Sequence, residues 1–90
     1  MIKAYILTEM QPGDYNKAIK EMGKIENIKK ISITAGDYDI ILRVEVNRIN
    51  DLLKITNKLH MIDGVNKTRT QVIEKEVASL AFGKYNSAKL

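Results

Sequence analysis

Two short stretches of this chain carry the residue types and spacings best suited to binding chemistry: Gly36-Asp37-Tyr38-Asp39 and Thr68-Arg69-Thr70. In the first, consecutive backbone N–H groups of a tight turn can form an anion-holding concavity. Asp37 or Asp39 can take a cation through a charge-assisted hydrogen bond, and Gly36 permits positive φ and a close backbone approach. In the second, Thr68 and Thr70 lie two apart on an extended segment, so both hydroxyls face one side. Together these groups suit something small that carries both charges. The same residues are also ordinary hairpin-turn and strand chemistry. Taken alone they leave both readings open.

Little else could react. His60 is the one histidine, with Asp63 three residues later. A metal site needs three or four converging ligands, and a histidine at a helix end is more simply explained by the helix dipole. No nucleophile and base stand at a usable spacing, so catalysis is not expected. The absence of cysteine removes disulfides, thiolate metal sites and cysteine nucleophiles together, and no other cofactor is implied.

The elements that must position these groups follow from hydrophobic periodicity. Residues 2–9 read as a strand, with Ile2, Ala4 and Ile6 on one face and Tyr5 and Leu7 on the other. Gln11-Pro12-Gly13 breaks it, and Asp14 is placed to cap a helix whose stripe is Tyr15, Ala18, Ile19, Met22 and Ile25. Residues 28–35 and 38–46 alternate as two strands of a hairpin around Gly36-Asp37. Asn47 is placed to cap a second helix over 48–62, with the stripe Ile49, Leu52, Ile55, Leu59 and Ile62. Gly64 ends that helix, and residues 65–77 read as a last long strand. The order β-α-β-β-α-β predicts an α+β, ferredoxin-like βαββαβ fold: a four-stranded antiparallel sheet with two helices on one face.

The helix-free face of such a sheet should be polar in a lone domain. Here β-strand positions Tyr5, Leu7 and Ile41, with Val72 grouped beside Thr68 and Thr70, predict an apolar face closed against a second subunit. Net charge is +4, but the Lys and Arg residues are scattered among acidic ones, as on a solvated surface. Base-stacking aromatics are missing from the third strand, where Ile41 and Arg43 stand, so RNA recognition of the four-stranded-sheet kind is excluded. The first loop carries no arginine, which argues against an acylphosphatase-like site. No apolar run approaches the ~20 residues of a membrane span, and the N-terminus lacks signal-peptide features. The chain reads as soluble and cytoplasmic, with no membrane partner.

Three segments in order resemble one known family. The first strand with "QPGDYNKAIKEM", the hairpin "ISITAGDYDIILRVEV" and the closing "IDGVNKTRTQVI" are similar to the ligand-binding (RAM) domain of the Lrp/AsnC transcription regulators. The likeness covers residues 1–77; residues 78–90 form a C-terminal extension outside it. The resemblance implies a homodimer closed through the open sheet faces, a dimeric α/β sandwich or barrel, which often assembles into a ring of four dimers. It also implies an amino acid or similar effector bound between dimers, with Gly36, Asp37, Tyr38, Asp39, Thr68 and Thr70 as ligand-binding residues. A full-length regulator carries a helix-turn-helix before this domain. Here the first strand starts at Met1, so the expectation is a stand-alone sensing and oligomerisation module without direct, specific DNA binding. It would modulate transcription or amino-acid metabolism by assembling with itself or with full-length regulators. The competing expectation is a small cofactor-independent dimeric enzyme of monooxygenase or isomerase type.

Overall fold

A computed structural model describes residues 1–79. Its element order is β1 (Ile2–Met10), α1 (Asn16–Gly23), β2 (Ile28–Ile33), β3 (Ile40–Val46), α2 (Ile49–His60) and β4 (Val65–Val72). The strands form one sheet in the order β2-β3-β1-β4, antiparallel at every pairing. This is the expected ferredoxin-like fold.

Alternation decides what each face of the sheet buries. Ala4, Ile6, Thr8 and Met10 of β1 and Ile40, Leu42, Val44 and Val46 of β3 point to the helix side and are buried. Ala18 and Met22 of α1 and Leu52, Ile55 and Leu59 of α2 close over them. Each such aliphatic side chain contributes roughly 1.5–3 kcal/mol through removal from water. The stripe of α2 starts at Leu52, because Ile49 in its first turn remains 57% exposed.

Four boundaries differ from expectation, each for a local reason. Asp14 is not the N-cap of α1, which is Tyr15 with no side-chain cap bond; its carboxylate instead accepts the Asn16 N–H at 2.9 Å, two residues on. Asn47 does not cap α2, whose N-terminus is Arg48 in extended conformation with no side-chain cap bond. The β2–β3 hairpin is wider than a two-residue turn: Thr34 N–H donates to the Asp39 carbonyl at 2.9 Å, so regular pairing starts only at Ile33 and Ile40. The last strand stops at Val72 rather than running to residue 77. Beyond it the Ile73 N–H bonds to the Lys3 carbonyl at 2.8 Å, and Glu76 reaches Lys3 at 3.6 Å and Arg43 at 3.3 Å on the open face. Of residues 78–90, those from 80 onward lie outside the described residues.

One expectation about the faces needs correcting. Register pairs Thr68 with Thr8, Thr70 with Ile6 and Val72 with Ala4, and those β1 partners all face the helices. Val72 therefore adds nothing apolar to the open face. That face carries Tyr5, Leu7 and Ile41 as its apolar residues, set among Lys3, Arg43, Glu45, Arg69 and Gln71. The periodicity of β4 was right; the side assigned to it was not, because its side follows from pairing with β1 and not from its own alternation.

Thr8 is fully buried, and its hydroxyl has no hydrogen-bond partner among the described residues. A buried polar atom without a partner costs about 1–3 kcal/mol. Thr8→Val, of the same shape, should therefore raise the melting temperature, by roughly 4–8 °C for each kcal/mol regained. A lowered melting temperature in a thermal melt would show that the hydroxyl is satisfied after all.

Candidate functional site

The turn between β2 and β3 is held by Asp39. Its carboxylate accepts the Met10 N–H at 2.8 Å and lies near enough to the Tyr15 phenol for its charge to be felt there, while its own N–H donates to the Thr8 carbonyl at 3.0 Å. These bonds fall where the β1–β4 register shifts at Glu9/Met10, so the side chain serves a backbone N–H beside that irregularity. Thr34 adds a bond from its hydroxyl to the Tyr38 carbonyl at 2.7 Å. Asp39 thus ties the hairpin to β1.

The rest of the turn is unclaimed. Among the described residues, the N–H groups of Gly36, Asp37 and Tyr38 have no hydrogen-bond acceptor, and the Asp37 carboxylate has no partner. Gly36 and Asp37 are exposed and Tyr38 is half-buried. Gly36 adopts φ +152°, a conformation side chains disfavour, and this leaves its amide bare at the tip. The turn can therefore offer donors to an anion and, through Asp37, an acceptor to a neighbouring cation.

The two threonines are placed less simply. Thr68 and Thr8 are direct register partners, and Thr8 is also paired with Ile40, the residue after Asp39. Turn and threonine strand thus share one end of the sheet but flank β1 on opposite sides, roughly 10 Å apart by two strand spacings. Thr70 lies one step further in, opposite Ile6. Within one chain the structure brings Gly36, Asp37, Tyr38 and Asp39 together, with Thr68 and Thr70 as a separate pair on the helix side.

Two residues gain contacts that sequence reasoning missed. Tyr15, read only as part of a core stripe, has its phenol under the influence of the Asp39 charge; no periodicity signals an interaction 24 positions away. His60 sits against Thr68, Nε2 to Oγ1 at 3.1 Å, and not against Asp63. A helix end meeting the strand that follows it is a tertiary outcome. His60 is exposed, and among the described residues no three His, Asp or Glu converge.

The phenol of Tyr15 is raised above its ordinary value of 10.0, first by burial, then by the charge of Asp39 and the hydrogen bond to it. A raised folded-state value means the contribution is complete below the unfolded pKa and is lost as pH climbs through the folded one. The stability advantage of the native protein over Tyr15→Phe should therefore hold steady near neutrality and shrink above about pH 10. Urea unfolding of both proteins at about pH 8 and about pH 11 measures it; an advantage that grows with pH would reverse the assignment.

Compared with known proteins, residues 3–80 match the family model described as the Lrp/AsnC ligand binding domain. The chain belongs to this family. Among curated relatives of this Lrp/AsnC domain is the HTH-type transcriptional regulator FL11 of Pyrococcus furiosus, 27% identical over 74 residues, which cover 82% of this chain and 49% of FL11. The chain thus spans about half the length of these regulators. A second relative is the homocitrate synthase of Sulfurisphaera tokodaii, 29% identical over 77 residues that make up 84% of this chain and 17% of the enzyme. Among solved structures, the feast or famine regulatory protein of M. tuberculosis complexed with L-methionine superposes with a TM-score of 0.76 at 20% identity. That match covers 89% of this chain and 54% of the other. It shows the shared fold.

Proposed function

We propose that this Lrp/AsnC domain is an amino-acid-responsive sensing and assembly module, with the turn Gly36–Asp39 as the ligand contact. The observation that carries this reading is the unclaimed set of N–H groups at the turn tip next to the free carboxylate of Asp37. A free amino acid bears a carboxylate and an ammonium on one carbon. Holding it requires a partner for each charge, since an unpaired charge out of water is costly. The N–H groups suit the carboxylate and Asp37 suits the ammonium. Asp39, already engaged by the Met10 N–H, acts as the strut that presents them.

The distance between this turn and Thr68 supports a site completed across an interface, with the turn of one copy facing the threonine strand of another. Self-association through the open sheet face, and further assembly of dimers, would then place the site between copies. Partners of the same family, including full-length regulators, fit the same scheme, and the regulators among the relatives support a role in transcription. The relative in which this domain accompanies a biosynthetic enzyme is consistent with the module modulating amino-acid metabolism.

A ligand bound only by the folded assembly stabilises it by RT ln(1 + [L]/Kd), about 2.7 kcal/mol at a hundredfold excess over Kd. That is worth a melting-temperature rise on the order of 10 °C in a domain of this size. Screening the twenty amino acids by thermal shift should find at least one such response, and Asp37→Asn should remove it without altering the unliganded melt. Silence from all twenty would refute the sensing assignment.

The monooxygenase- or isomerase-type reading has less support. Such an enzyme needs a deep pocket inside one protomer, and the centre of this fold is filled by fully buried Ile6, Met22, Ile40, Leu42 and Leu59.

A further inference from the structure

Past the end of β4 the chain does not leave the sheet. The Ile73 N–H bonds the Lys3 carbonyl at 2.8 Å, and Glu76, three residues on, returns over the open face. Its carboxylate lies 3.3 Å from Nη2 of Arg43 and 3.6 Å from Nζ of Lys3. Arg43 also meets the Glu45 carboxylate at 3.6 Å, donates from Nη1 to the Val44 carbonyl at 3.2 Å, and lies 5.7 Å from the Tyr5 ring centroid. Among the described residues, Glu76 is the one partner of Nη2 and the one carboxylate paired with the Lys3 ammonium. Lys3, Arg43, Glu45 and Glu76 thus link two cations with two carboxylates. Glu76 is the member that the strands themselves do not supply.

This cluster borders the apolar strip of Tyr5, Leu7 and Ile41. The Arg43 side chain is only 18% exposed in a single chain, so a second copy laid on this face would cover what remains of it. A guanidinium out of water needs both its charge and its N–H groups matched. Two-fold pairing also sets identical faces against each other, and identical faces with surplus charge repel. We infer that Glu76, carried by the segment after β4, is the charge-balancing residue of the assembly face. It completes the partners of Arg43 and leaves the cluster neutral, fit for burial against a second copy of this chain. The face also offers that copy a foothold: Tyr5, Lys30, Ser32, Ile41 and Arg43 line a hollow of about 260 Å³, room for a side chain of the facing copy. This role of Glu76 rests on the assembly reading above and is independent of the ligand turn.

In a lone copy the Glu76 and Lys3 side chains are about half in water, where ion pairs contribute little. Once covered, loss of one partner leaves a buried charge without its counterpart. Glu76→Gln should therefore melt within about 2 °C of the native chain in dilute solution, yet self-associate about tenfold or more weakly. Glu74→Gln removes the same charge from the same segment, where no side-chain partner is found among the described residues, and should associate like the native chain. Sedimentation of the three proteins over a range of concentrations, at one ionic strength, reads the outcome. A Glu76→Gln variant that associates as tightly as the native chain overturns this role and leaves face pairing standing. Equal weakening in Glu74→Gln overturns it too, as an effect of net charge alone. A melt lowered by more than about 5 °C in Glu76→Gln would assign the residue to folding and overturn it equally. A native chain that stays a monomer throughout overturns both this role and the pairing.

Discussion

Asp39→Ala should lower stability by about 2–4 kcal/mol, more than any other single change at the turn. The carboxylate accepts a backbone N–H from Met10 at 2.8 Å, and a bond to a charged acceptor is worth about 1.5–3 kcal/mol. Truncation removes that bond and strands the partly buried Met10 N–H, which adds its own desolvation cost, beside the β1 register shift. In a domain this small the loss corresponds to a melting-temperature drop of at least about 10 °C. Asp39→Asn keeps an acceptor for Met10 and should lose roughly half as much. Circular dichroism melts of the three proteins decide it; an alanine variant melting within about 2 °C of the native chain would remove Asp39 from its structural role. The same reasoning makes Asp37, and not Asp39, the place to test ligand contact, since its substitution leaves every observed bond intact.

Leu7→Glu should separate folding from assembly. Leu7 lies half-buried on the open face, paired with Ile41 on one side and Arg69 on the other. In a lone copy the new carboxylate would meet Arg69 at a cross-strand position, a tolerable neighbour worth a few tenths of a kcal/mol or more. Pressed against a second copy, it would become a charge removed from water at an apolar contact, which costs several kcal/mol. Self-association should weaken by about a hundredfold or more, with the melting curve of the single copy nearly unchanged. Sedimentation over a range of concentrations reads this directly. A native chain that sediments as a monomer throughout, or a variant that associates as well as the native chain, would rule out the open face as the contact.

The relation between these two positions shows how much was legible before the fold was seen. Period-2 and period-3.6 patterns place Ala4, Ile6, Leu42, Val44, Met22, Ile55 and Leu59 in the core, and all are buried. Asp14 ahead of a helix is readable as a local acceptor, and its carboxylate takes the Asn16 N–H, although Tyr15 holds the N-cap position. These are local facts, set by residues within a few positions of each other. Alternation alone groups Val72 with the open face, yet it lies on the helix side, since the side a β4 residue takes is fixed by its partner on β1, some 68 positions away. Lys29 gave no warning of the register shift in β2 between Ile28 and Lys30.

The site divides the same way. Residue types alone determined that Gly36-Asp37-Tyr38-Asp39 would be a turn, and that the chain would fold as a four-stranded sheet under two helices. Only the tertiary structure decided which aspartate is free. Asp37 and Asp39 are chemically identical and two residues apart, yet Asp39 is committed to the Met10 N–H and Asp37 has no partner among the described residues. It likewise decided that Lys30, Ser32 and Arg43 share a hollow, since β2 and β3 must pair in register before those side chains meet. Periodicity is short-ranged and survives in the sequence. Charge pairing depends on distances of a few ångströms between remote segments, and those distances exist only once the chain has folded.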